Sequence, residues 1–175
     1  RVNAFATMGG FVYVTTGLIR TADNEAQLAS VIGHEIGHIA GRHAVEQMRE
    51  TAIAQGVATA AGLDRNVAVA IGVELALRRP NSRQDELEAD QLGLSNLIRA
   101  GYAPSGTVGF MQKLLNQSSV PAFLSTHPAT ADRITALNRM IDPATANVGD
   151  GLDNAAYRSR ISRLLQRAAL RVLQT

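Results

Sequence analysis

Leu28, Val31, Ile32, Ile36 and Ile39 recur at helical spacing within a stretch that runs from Asp23 to about Glu50. In the middle of that stretch stands His34-Glu35-Ile36-Gly37-His38. Residues four apart on a helix lie one turn apart on the same face. If the segment is helical, His34 and His38 converge on one point and Glu35 projects beside them. That arrangement suits a zinc site. A zinc ion polarises a carbonyl and lowers the pKa of its water to about 7, and a neighbouring carboxylate takes the proton.

Catalytic zinc takes three protein ligands and keeps one position open. A third histidine six residues after His38 would complete one known spacing, but that position is Ala44, and His43 falls one residue short. The other route is a carboxylate from a second helix, which Glu86-Leu87-Glu88-Ala89-Asp90 offers. Glu86 and Asp90 share a face, so one can bind metal while the other orients a ligating histidine. Glu88 lies off that face and is the poorer candidate.

The rest of the chain gives these elements a setting. Residues 4–19 read as a β-hairpin turning at Gly9-Gly10. Thr21 and Asp23 mark the start of the long helix. Residues 51–79 read as two weak Ala/Gly/Val-rich helices, packed in the core, or else serving as a mobile lid or as a surface resting on a membrane or partner. Pro80-Asn81-Ser82 resets the chain before a helix over 83–100 closed by Gly101. Further helices are expected over 105–117 and 129–141, with 118–128 as loop. Residues 1–141 would form the catalytic domain. Residues 142–154 read as a linker, and 155–175 as a basic amphipathic helix with Tyr157, Ile161, Leu164 and Leu165 on its apolar face, docking back on the domain or else meeting anionic lipid or a further domain.

Composition removes several alternatives. With no cysteine, there are no disulfides, no thiolate ligands and no thiol nucleophile. A net charge of +2 gives no case for a nucleic-acid partner. Five arginines (Arg158, Arg160, Arg163, Arg167, Arg171) lie beyond residue 154 in a stretch without acids, so the basicity belongs to the tail. No run of about 20 apolar residues could span a bilayer. The chain opens at Arg1-Val2-Asn3 directly into a strand pattern without an initiator Met, and we expect a signal or anchor segment upstream.

The sequence resembles the HtpX-like and CAAX-prenyl-protease-type family of gluzincin zinc metallopeptidases. The matching stretches are Asn3-Ala4-Phe5-Ala6, Gly9-Gly10, Gly17-Leu18-Ile19, the HEIGH helix continuing to Arg42-His43, Ser82-Arg83 before Glu86 to Asp90, Ser125-Thr126-His127-Pro128, and Arg133-Ile134. The resemblance implies one zinc ion held by His34, His38 and Glu86, Glu35 as general base and Asp90 behind a ligand. It implies a mostly helical α+β gluzincin fold with a small N-terminal sheet over the active-site helix. Substrate would bind as an added strand along Asn3, Ala4, Phe5 and Ala6.

The absence of spans and the Ser-Thr-His-Pro element make the chain similar to the family's soluble periplasmic branch of outer-membrane-associated quality-control proteases. In that branch the histidine matching His127 approaches the zinc, as a fourth ligand holding the enzyme inactive or as an electrophile near the oxyanion. Arg133 would support it or the oxyanion. Tyr102 is expected to pack, and His43 to be structural. The expected activity is zinc-dependent hydrolysis of internal peptide bonds in unfolded or misassembled envelope proteins in the periplasm. Association with the outer membrane and a further domain after the linker would fit. The competing expectation is a chaperone-like or scaffold protein with a dormant or structural zinc site, against which the intact Glu35 argues.

Overall fold

The hairpin forms because Gly10 takes a positive φ of 80° at the turn, where the Gly10 N–H donates to Thr7 O at 3.0 Å. Strands β1 (Ala4–Ala6) and β2 (Val12–Val14) pair antiparallel with Phe5 opposite Tyr13, and those two rings stack at 4.9 Å. The computed structural model describes residues 1–54, 80–117, 121–128 and 131–172, and side chains within them except at 52–54 and 167–172. Residues 55–79, with most of the expected weak helices, lie outside the described residues.

The hairpin is shorter than its sequence suggested. Thr15 accepts the Leu18 N–H and starts helix α1 (Thr16–Thr21), so Gly17-Leu18-Ile19 are helical rather than extended. Helix α2 (Glu25–Ala40) is capped by Asn24, whose side chain accepts the Gln27 N–H at 3.0 Å, and not by Thr21 or Asp23. α2 also stops earlier than its apolar periodicity implied. Gly41 closes it, Arg42 adopts φ 57°, and α3 (His43–Ala54) leaves in a new direction. The left-handed residue breaks a pattern that would otherwise run through.

A capping box of Ser82 and Asp85 starts α4 (Arg83–Arg99). Next come α5 (Ser105–Leu115), a short α6 (Ala122–Thr126) where a loop was expected, α7 (Ala131–Met140) and α8 (Asn154–Val172). α2 and α4 cross with their backbones touching. A Cβ on Gly37 would lie 2.6 Å from Ala89 O, one on Gly33 2.9 Å from Gly93 O, and one on Gly93 2.8 Å from His34 N. The small residues therefore set the distance between the two helices that carry the candidate ligands. β1 lies against α2, and Ala4 faces the core with Leu18, Val31, Phe110 and Phe123. Among the described residues no helix is long and apolar enough to cross a membrane.

The residues read as a linker are bonded to the helical body. The Ser105 N–H donates to Ala146 O at 2.8 Å, Asp150 N–H to Gly101 O at 2.8 Å, and Ala26 N–H to Gly151 O at 3.0 Å. α8 follows, with Tyr157 in the core and its hydroxyl donating to Ile19 O at 2.7 Å. Ile161 packs beside it, whereas Leu164 is half exposed.

Burial, followed by the Glu25 carboxylate, pushes the Tyr157 phenol up to about 12. An unfolded tyrosine ionises near 10. The folded state therefore keeps the proton longer. This stabilisation is complete below about pH 10 and is lost as pH rises through the folded value. Tyr157→Phe should lower stability at pH 8 by about 1 kcal/mol, the lost hydrogen bond, and flatten the alkaline limb. Urea melts between pH 8 and pH 11.5 check it; an unchanged alkaline slope contradicts it.

Candidate metal centre

One face of α2 buries three polar side chains: His34, Glu35 and His38, exposed by 6%, 1% and 6%. α4 brings Glu86 and Asp90 against them, exposed by 1% and 3%. Such groups are costly to bury unless something satisfies them.

His34 Nε2 lies 3.0 Å from His38 Nε2 and 3.4 Å from Glu86 Oε2, and His38 Nε2 lies 3.2 Å from Glu86 Oε1. His127, at the end of α6, adds Nδ1 at 3.3 Å from His34 Nε2 and 3.0 Å from Glu86 Oε1. These four residues each bring one donor atom within 4.8 Å of all the others. Zinc–ligand bonds of about 2.0–2.1 Å in a tetrahedron place neighbouring ligand atoms about 3.3 Å apart. The separations of 3.0–3.4 Å quoted above lie near that edge length, and three imidazole nitrogens with a carboxylate suit zinc chemically.

Burial and neighbouring charges push the titration of these groups in opposite directions. His34 Nδ1 lies 3.0 Å from Asp90 Oδ1. Burial works against a charged His34, but contact with Asp90 and then Glu86 pulls it up to about 9. Burial sends His38 the other way, down to about 3, helped by the neighbouring His34 charge and opposed by contact with Glu86. Glu86 and Asp90, despite burial, are held below the usual carboxylate range, Glu86 by His127 and His34, Asp90 by Arg133 and His34.

Arg133 fixes the carboxylates. Its Nε and Nη2 each donate to Asp90 at 2.7 Å, Nη1 donates to Pro128 O at 2.8 Å, and Nη1 also pairs with Glu86 Oε2. The guanidinium thus sits behind Asp90 and Glu86, and it reaches His127 through the backbone of the next residue. Glu35 Oε1 is buried without a hydrogen-bond partner, 3.4 Å from His127 Nε2. The His127 ring stacks on Phe123 at 4.5 Å.

Of the strand residues, Phe5 and Ala6 reach a cleft of about 300 Å³ that Glu35, His38 and His127 also line. Asn3 and Ala4 do not reach it: Ala4 is core, and Asn3 is tied to Thr15 by its N–H at 3.0 Å. Tyr102 is half-buried, and its hydroxyl donates to Glu25 at 3.1 Å.

Sequence reasoning passed over Asn81. Its Nδ2 donates to Glu86 Oε1 at 2.8 Å and lies 3.3 Å from His127 Nδ1 and 3.4 Å from His38 Nε2. Its Oδ1 accepts from Gln47 at 2.7 Å. The one available signal was its position immediately before the Ser82 cap, five residues ahead of Glu86.

Residues 1–141 match the model of peptidase family M48. The chain belongs to that family. The chain is 35% identical over 156 residues to the beta-barrel assembly-enhancing protease of Escherichia coli (strain K12), covering 79% of this chain and 32% of that protein. It is 38% identical over 137 residues to the mitochondrial metalloendopeptidase OMA1 of Arabidopsis thaliana, covering 75% and 28%. The OMA1 of Saccharomyces cerevisiae (strain ATCC 204508 / S288c) is 30% identical over 152 residues, covering 81% and 44%. The chain spans about a third of the length of the beta-barrel assembly-enhancing proteases it matches.

Proposed function

We propose that this M48 domain is a zinc-dependent endopeptidase in which His34, His38 and Glu86 hold the metal and Glu35 is the general base. The observation that carries this reading is the convergence of four buried donors, three histidines and Glu86, beside the buried Glu35, one of whose carboxylate oxygens has no hydrogen-bond partner. Zinc, when bound, supplies Lewis acidity toward a peptide carbonyl and a lowered pKa for water. Glu35 takes the proton of the attacking water and passes it to the departing amine. Asp90 orients His34, and Arg133 keeps both α4 carboxylates ionised and in place.

Substrate enters the cleft as an extended chain. The sheet has two strands, so the far edge of β1 has no strand partner among the described residues. Backbone pairing along that edge accepts varied side chains, which suits unfolded or misassembled polypeptides. The likeness to the Escherichia coli protease supports a periplasmic setting close to the outer membrane and envelope proteins as substrates.

His127 is read as a fourth donor that holds the site in check, because its Nδ1 occupies the remaining corner of the donor set. His127→Ala should retain zinc and cleave casein faster than wild type. Unchanged activity and zinc affinity would remove this role.

The overall reading is tested by elemental analysis of purified protein and by casein cleavage before and after chelation. One zinc per chain, activity lost with a chelator and restored by added zinc is the expected result. Protein that holds no stoichiometric zinc overturns the metal assignment. Zinc-loaded protein that never cleaves casein favours the rival scaffold reading, in which the site is dormant.

A further inference from the structure

The break between α2 and α3 has a chemical purpose. Arg42 holds φ 57°, a conformation disfavoured for a residue with a side chain, and strain of that kind persists where the surroundings demand it. Its effect is to fold His43 back beneath α2. The His43 ring lies so close over Gly41 that a Cβ there would be 2.4 Å from His43 Nε2. His43 is 3% exposed, with Nδ1 2.8 Å from His38 Nδ1 and Nε2 3.5 Å from Glu88 Oε2.

Two facing Nδ1 atoms at that distance share one proton. If His43 supplied it, neutral His38 would carry its own hydrogen on Nε2, aimed at His34 and Glu86, and could not ligate a cation. If His38 supplies it, His38 Nε2 presents a lone pair to the donor cluster, and His43 keeps its hydrogen on Nε2, toward Glu88. We propose that His43 is a positioning residue that accepts the His38 Nδ1–H, so that His38 is held by an imidazole–carboxylate relay as His34 is held by Asp90. Gly41 and Arg42 supply the turn that makes the relay fit. The inference rests on the zinc reading above.

The test compares His43→Leu, which fills the space without an acceptor, with His43→Asn, whose amide oxygen can stand near the Nδ1 position. Zinc affinity is measured by competition with a chromophoric chelator. We expect His43→Leu to weaken zinc binding by about 10–100-fold and His43→Asn to recover most of it. Wild-type affinity in His43→Leu, or equal losses in both variants, overturns the proposal. Long-range ¹H–¹⁵N spectra of the zinc-loaded wild-type protein decide it even if His43→Leu fails to fold. They should show hydrogen on His38 Nδ1 and none on His43 Nδ1, and the reverse pattern overturns the relay. A wild type that binds no zinc overturns the metal reading first and this one with it, which separates the two failures.

Discussion

Glu35→Gln is expected to lower the rate of casein cleavage by at least about a hundredfold, and by up to about ten-thousandfold, the range lost with a positioned general base. The substitution changes one atom and preserves side-chain shape. Glu35 lies outside the four-residue donor set, so zinc content should match wild type. Stability should hold or rise slightly, because the variant no longer buries a carboxylate oxygen without a hydrogen-bond partner. Loss of activity with unchanged zinc and an equal or higher melting temperature is thus the signature of a base. Equal casein cleavage by variant and wild type would end the endopeptidase assignment.

The second large effect lies in the helix crossing. Alanine is the better helix former, so Gly→Ala within a helix ordinarily gains up to about 1 kcal/mol. At Gly37 the sign should reverse, since the new Cβ would meet Ala89 O at 2.6 Å and Ala89 Cα at 3.0 Å, both backbone atoms of α4. Only separation of α2 from α4 relieves that contact, and separation pulls Glu86 and Asp90 away from the two histidines. Gly37→Ala should cost about 1–3 kcal/mol as overpacking and weaken zinc binding as well, with Gly37→Val worse on both counts. Gly109 in α5 is the control, because its Cβ would meet only Gln27 Nε2, at 3.4 Å. Gly109→Ala should be neutral or stabilising. Urea unfolding of the three variants checks this, and Gly37→Ala as stable as Gly109→Ala would contradict it.

What could be read in the sequence was whatever is local or repeats at a helical period. His34 and His38 lie four apart on one helix, as do Glu86 and Asp90, and spacing alone puts each pair on a face. Gly9-Gly10 announced the hairpin turn in the same way. The α2–α3 break was hidden because apolar residues continue at helical spacing across it, while a left-handed Arg42 leaves no compositional mark. α1 was hidden because Thr15 reads as a strand residue until its side chain is seen capping Leu18. Asn81 and Arg133 act across the fold, and no pattern marks the partners that reach Arg133 from Asp90 or Asn81 from His127. The backbone bonds from the stretch after Ile141 to the helices were not legible for a different reason. The glycines that let a chain flex are also those that let it press against a helix end.

That stretch bears on where the molecule can be cut. Ala26 lies in the first turn of α2, and its N–H is satisfied by Gly151 O, while the Asn24 cap is itself held by Asn154 at 3.1 Å. The family likeness ends at residue 141. A version shortened to that point would keep each candidate ligand and lose the clasp on the helix that bears three of the buried groups. The recognisable sequence and the part of the chain that holds the start of this helix therefore have different ends, and a shortened version that keeps the clasp would have to include Asn154.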